Sequence, residues 1–285
     1  MEIVDEIDSD MVEPPSMQDV RIQKGSYLLE LSLDWIVLRA SENIHYLLGE
    51  SHVTLIDEPL GRFVHSQALH DLRNLFSRLS GTTGIGRAYA VHLTDDPDLV
   101  DIAFQLVDGR VLLEAVISAG SFGESFGSVG GLIAGLANSS GQALIEGGAR
   151  RMRALTGYDR VTLACGERRA ESSRGAFGGS LDSAELPIIL TDTECESIGI
   201  FPRDDDDSAA HAALMRAPEE ANRRELGSKG IRSVLRVTFR ADGLACEFCC
   251  ESRTPREPSF ELHAAAELFA QMFALRLAID RAANT

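Results

Sequence analysis

The sequence predicts an α+β protein of two domains, each an antiparallel sheet flanked by helices. Three observations predict it. A chain of 285 residues, at roughly 150 per domain, accommodates two domains. Short β-type runs fall in two groups, one on each side of a glycine- and serine-rich stretch near 120–135. Each group is accompanied by apolar residues at helical spacing. A composition of 44% hydrophobic and 25% charged residues excludes collagen-like, coiled-coil and wholly disordered chains.

Residues 1–19 carry seven carboxylates beside Pro14 and Pro15 and read as a disordered acidic arm, with too little apolar surface to offset ordering entropy. The first domain is expected over 20–120. Tyr27–Leu33 and Trp35–Arg39 are β-type runs split by Asp34, a hairpin pattern. Ser41 is placed to cap a short helix that Gly49 ends. Leu69, Leu72, Leu75, Phe76 and Leu79 predict an amphipathic helix over about 65–80. Strands follow at Arg87–Leu93, Leu99–Val107 and Arg110–Ile117, the last two joined by the hairpin dipeptide Asp108-Gly109.

Residues 121–135 read as a glycine-rich linker, and the second domain is expected over 136–283. A helix over about 136–155 stops at Thr156-Gly157. Strands are predicted at Tyr158–Cys165, Pro187–Thr191, Ile231–Phe239 and Leu244–Cys250. The last helix, about 258–281, places Phe260, Ala264, Leu268, Met272 and Leu275 on one apolar stripe, widened by Phe269, Phe273 and Leu277. A stripe that wide predicts cover from a second helix, such as that of a partner subunit.

Lys+Arg 27 against Asp+Glu 44 gives a net charge of −17. Such a surface repels phosphate backbones and anionic headgroups, so neither nucleic acid nor membrane is the expected partner. No apolar run reaches the roughly 18–20 residues of a bilayer span, and the N-terminus lacks the basic start of a signal peptide. A cytoplasmic protein with its five cysteines reduced is expected.

Single motifs do not establish an enzyme. Gly123-Glu-Ser-Phe-Gly127 matches a nucleophile elbow, with His211 or His263 downstream as base, but its glycine-rich setting favours a turn. Cys246, Cys249 and Cys250 alternate faces on a strand and cannot share one tetrahedral metal site. His65 and His70 lack zinc-helix spacing, and Asp204–Asp207 lacks the alternating ligands of a calcium loop. Residues 81–86 have the wrong spacing for a dinucleotide loop. No catalytic residue and no metal ligand is assigned.

Three segments, read together, are more specific. Leu28–Leu48, with Leu29-Glu-Leu-Ser-Leu-Asp34 and Ala40-Ser-Glu-Asn-Ile44, resembles the PAS domain of bacterial phytochromes. Thr156-Gly-Tyr-Asp-Arg-Val161 resembles the opening of the phytochrome GAF domain, and Glu261–Gln271 its closing helix. The resemblance spans about residues 20–283 and implies PAS followed by GAF, red/far-red photoreception through a bilin, and dimerisation through the last helix. No stretch resembling a PHY domain or a histidine kinase occurs in the sequence.

The pigment-binding residues that the resemblance implies are mostly replaced. Glu13–Gly25 resembles the run that follows the bacterial attachment cysteine, yet no cysteine precedes Cys165. Arg216-Ala-Pro-Glu-Glu-Ala-Asn222 matches the plant-type attachment motif with Ala221 and Asn222 in place of its Cys-His pair. Leu181–Pro187 is the nearest match to the Asp-bearing loop, and Cys250-Glu251-Ser252 replaces a Cys-His-His triplet. Arg216 retains the place of a propionate-binding arginine; Asn222 and Ser252 are degenerate pocket positions. The expectation is a phytochrome-like sensory module, not an enzyme, whose covalent bilin attachment is lost. The alternative is a chromophore-free interaction or adaptor module, acting on a separate output partner. A third reading makes Cys249 or Cys250 a redox-sensing thiol.

Overall fold

The computed structural model of the chain describes residues 20–79, 84–120, 123–179, 185–203 and 208–283. The acidic arm at 1–19, the Asp204–Asp207 run, residues 181–184 of the loop candidate and residues 81–83 lie outside them.

The first sheet is built from β2 (Ser26–Leu31), β3 (Val37–Ser41), β4 (Gly86–Val91), β5 (Val100–Val107) and β6 (Arg110–Ile117), following the short β1 (Ile22–Gln23). Asp108 and Gly109 both adopt positive φ, 47° and 75°, as a tight right-twisting hairpin between β5 and β6 requires. Between β3 and β4 come α1 (His45–Leu48), α2 (His52–Leu55), a 3-10 turn at Leu60–Arg62 and α3 (Ser66–Leu79). Gly49 ends α1 in the left-handed conformation, as expected, but Ser41 is not its cap. The Ser41 hydroxyl instead accepts the Leu28 N–H at 3.1 Å, on the neighbouring strand. α3 lays Ala68, Leu69 and Leu72 on the sheet, and Phe76 meets Trp35 edge-on at 6.0 Å.

The second half holds α4 (Glu124–Ala134), α5 (Gly141–Thr156), β7 (Arg160–Cys165), β8 (Arg168–Ser173), β9 (Ile189–Leu190), β10 (Ser197–Ile198), β11 (Ile200–Phe201), α6 (Ser208–His211), α7 (Glu220–Ser228), β12 (Ser233–Ala241), β13 (Leu244–Ser252) and α8 (Phe260–Ala283). Its sheet runs β8-β7-β13-β12-β9, antiparallel throughout. Residues 121–135, expected as a linker, contain the eleven-residue helix α4. Phe126, Val129, Leu132 and Ile133 recur at helical spacing and join the main core, which offsets the roughly 1 kcal/mol that each glycine costs a helix.

The inner face of α8 also differs from the expected stripe. Phe260, Phe269, Phe273 and Leu277 face the sheet, whereas Leu268, Leu275 and Ile279 are exposed, the last two at 68% and 63%. α8 is also the one helix among the described residues long and apolar enough, by length and composition, to cross a membrane. The two inward phenylalanines of its middle, Phe269 and Phe273, pack on Phe248 and on each other, with Phe248–Phe269 and Phe248–Phe273 centroids at 5.9 and 5.6 Å.

The halves are stitched together. β11 adds to the edge of the first sheet beside β3, and β1 pairs with β10. Gln23 is fully buried and saturated by the other half: Nε2 donates to the Ile189 and Arg216 carbonyls (2.6 and 3.0 Å), and Oε1 accepts the Thr191 N–H and hydroxyl (2.8 and 2.9 Å). Glu114 on β6 accepts the Leu214 and Met215 N–H groups at 2.8 and 2.9 Å. Arg87 on β4 bonds His263 Nδ1 and Glu267 on α8, both at 2.7 Å.

Candidate functional site

Strand alternation divides the second sheet into two faces. Val161, Leu163, Leu235, Val237, Phe248 and Cys250 turn into the core under α5 and α8. The opposite face carries Arg160, Val234, Arg236, Glu247, Cys249 and Glu251. It is covered by residues 174–179, by the segment around Leu186 and by Leu226 of α7.

Charge on this face is paired and buried. Arg160 and Glu251 stand directly opposite across β7–β13 and are each only 2% exposed. Arg160 Nε and Nη2 both bond the Glu251 carboxylate, the latter at 2.8 Å, and Nη1 donates to the Gly178 carbonyl at 2.6 Å. The Phe177 ring lies 4.7 Å from this guanidinium and 4.0 Å from that of Arg253. Desolvation pulls the Arg160 pKa down, but the hydrogen bonds and charge of Glu251 outweigh it and the net shift is upward. Beside them, Arg236 bonds Glu247 at 2.8 Å and the Leu186 carbonyl at 2.5 Å. Leu186, Leu190, Leu226, Ile231 and Val234 wrap Cys249 in a small apolar cluster. The face is thus lidded by its own chain.

Of the three expected pocket residues, the structure brings two together. Arg216 Nη2 and Asn222 Nδ2 donate to one acceptor, the Glu185 carbonyl, at 2.9 and 3.3 Å. Arg216 also borders a crevice of about 210 Å³, shared with Arg21, His211 and Arg223 at the start of α7. Ser252 stands apart, its hydroxyl bonding Asp159 at 3.1 Å. Within the triplet Cys250-Glu251-Ser252, Glu251 is the residue on the covered face. Arg160 and Glu251 were not singled out from the sequence. The alternation of Glu247, Cys249 and Glu251 against Cys246, Phe248 and Cys250 was the available signal.

The remaining candidates resolve into structural roles. Ser125 lies in the first turn of α4, where its N–H meets the Glu261 carboxylate at 3.1 Å. No hydrogen bond joins it to His211 or His263 among the described residues. Burial, reinforced by Arg87, lowers the His263 pKa to about 3, which keeps its imidazole neutral. Among the described residues no group of three His, Cys, Asp or Glu could hold a metal. The cysteines are not all free thiols, as the sequence suggested: Cys165 and Cys246 form a disulfide. They are opposite neighbours on β7 and β13, a pairing that depends on strand register. Cys249 and Cys250 are free, and burial raises both pKa values.

No protein-family model and no curated protein matches the chain. Solved structures do. The chromophore-binding domain of Stigmatella aurantiaca phytochrome P1 is 20% identical, with a TM-score of 0.73 over 92% of this chain and 99% of that one. The chromophore-binding domain of an unusual bacteriophytochrome from R. palustris is 21% identical, with a TM-score of 0.71 over 93% and 96%. A longer structure of that R. palustris protein gives 0.76 at 20% identity, covering 94% of this chain and 62% of that one. The chain therefore has the fold of bacteriophytochrome chromophore-binding domains, PAS followed by GAF.

A bilin needs donors for its lactam oxygens, cations for two propionates and room beside them. Here Glu251, in place of a histidine, is consumed by Arg160, while Arg216 and Asn222 spend donors on the Glu185 carbonyl. These residues do not fit a bilin held in the manner that the family resemblance implies.

Proposed function

We propose that this protein is a phytochrome-like sensory and signal-transduction module, not an enzyme, and that it holds no covalently attached pigment. The buried Arg160–Glu251 pair under Phe177 and Gly178 carries this reading. Removing two charges from water costs several kcal/mol per ion, which their mutual pairing recovers only when the geometry is kept. A pigment entering that face would have to displace the lid, stripping the Gly178 carbonyl and the Phe177 ring from Arg160, and would meet a charge pair whose groups are already spent on each other.

Signal relay then falls to α8. Its outward residues Leu268, Leu275 and Ile279 recur at helical spacing, and a second copy of the chain would cover them as a homodimer. The exposure of this stripe also supports the second reading, a chromophore-free adaptor that docks a separate output protein. The test is co-expression with a bilin-producing enzyme, followed by absorption spectra before and after denaturation. No band is expected to survive denaturation, and one that does would overturn the proposal. Sedimentation velocity is expected to give a dimer that Leu275→Glu with Ile279→Glu converts to monomer. A monomeric wild-type chain would remove the dimer.

A further inference from the structure

The Cys165–Cys246 bond lies outside the covered face and outside everything proposed above. We propose that it is a redox modification site, opened by a dithiol reductant and read by the C-terminal turns of α8. The two residues are direct register partners on β7 and β13, with Cα atoms 4.1 Å apart. The flanking strands remain joined by their own backbone ladder from Arg160–Glu251 to Cys165–Cys246, so the sheet does not need the bond to set its order. Both cysteines are nearly buried, at 5% and 4% exposure. Cys165, however, lines an open cavity of about 500 Å³ together with Gly166, Leu244, Leu277 and Arg281. That cavity gives an incoming thiolate a route to the bond.

The same cavity couples the bond to the helix. Leu277 forms its wall, and Arg281 reaches from the last turn of α8 to Asp242, at 2.5 Å, in the β12–β13 turn. Leu275 and Ile279, on the exposed stripe, alternate with these two residues along the chain. Loosening the β7–β13 end would therefore loosen the part of α8 that presents its apolar surface. The free thiols compete poorly for the bond, since burial raises the pKa of Cys249 and Cys250 and so depletes their thiolates.

The chemistry balances as thiol–disulfide exchange. A thiolate of the dithiol attacks one sulfur and displaces the other cysteine as a thiolate, which takes up a proton. The second thiol of the reductant then closes on the mixed disulfide. Two electrons pass to the protein, which ends with two thiols, and the reductant ends as a disulfide. Oxidised glutathione runs the reverse, taking two electrons as two protons leave.

The test uses the full chain equilibrated with oxidised glutathione or with dithiothreitol, acid-quenched, denatured and alkylated for mass spectrometry. Three alkylated cysteines (195, 249 and 250) are expected in the oxidised sample and all five in the reduced one. Hydrogen exchange over residues 275–283 is expected to be several-fold faster after reduction. The Cys165→Ala/Cys246→Ala variant should exchange fast under both conditions. Five free thiols in the glutathione-equilibrated wild type would overturn the site. An oxidised bond whose reduction leaves exchange in α8 unchanged would overturn the coupling.

Discussion

Glu251→Ala isolates the strongest interaction on the covered face. The substitution removes a carboxylate that accepts two guanidinium hydrogen bonds from Arg160, with both side chains 2% exposed. Breaking a buried pair from one side costs about 3–5 kcal/mol, because the remaining charge stays desolvated. Arg160 keeps the Gly178 carbonyl and the Phe177 ring, so the expected loss lies at the lower end, about 3 kcal/mol. Replacing both partners with apolar residues of similar size, Arg160→Met with Glu251→Leu, removes the desolvation cost together with the attraction. That double variant is expected within about 1 kcal/mol of the wild type, or above it. Urea unfolding followed by far-ultraviolet circular dichroism measures both. A loss below about 1 kcal/mol for Glu251→Ala, or a double variant as unstable as the single one, would refute the reasoning that this face is an ionic closure.

Three further outcomes follow from the seam between the halves and from the α5–α8 contact. Burial raises the Glu114 pKa from 4.5 to about 7, against the pull of the Met215 and Leu214 N–H groups. The folded chain then keeps a proton that the unfolded chain has lost, so this group's contribution to stability is highest below 4.5 and falls as pH rises to about 7. The full shift is worth about 3 kcal/mol, and Glu114→Gln should gain that much on the wild type between about pH 4.5 and pH 8 in thermal unfolding; a flat difference would contradict it. Gln23→Ala strands two carbonyls and the Thr191 donors inside the protein, and a loss of at least about 3 kcal/mol is expected in urea unfolding. Gly148→Ala would place a Cβ 2.6 Å from the Phe273 ring, so this helix contact must open, with about 1–3 kcal/mol lost in the same assay.

Local signals were legible and distant pairings were not. Asp108-Gly109 announced the β5–β6 hairpin because two positive φ angles suit few residue pairs. β1, β10 and β11 are two residues each, and only partners far along the chain, such as Ile22 with Ile198 and Phe201 with Ala40, make them strands. The glycines at 127, 130 and 131 hid α4, whose stability comes from the apolar residues between them. Along α8 the apolar residues cover so much of the circumference that periodicity left the inward side undecided. Packing chose Phe269, Phe273 and Leu277. At the candidate site Arg216 and Asn222 were found by their positions in a motif, but their shared acceptor, Glu185, belongs to no motif. Arg160 and Glu251 look like solvent-facing charges in a strand until register sets them opposite one another. The disulfide depends on the same register.

Hydrogen exchange over 174–179 and 185–188, measured with and without biliverdin, tests most directly whether the chain itself fills the face where a pigment would lie. The account predicts that slow exchange in both segments is already present without pigment and does not change on its addition. Segments that exchange freely alone and become protected with biliverdin would contradict it.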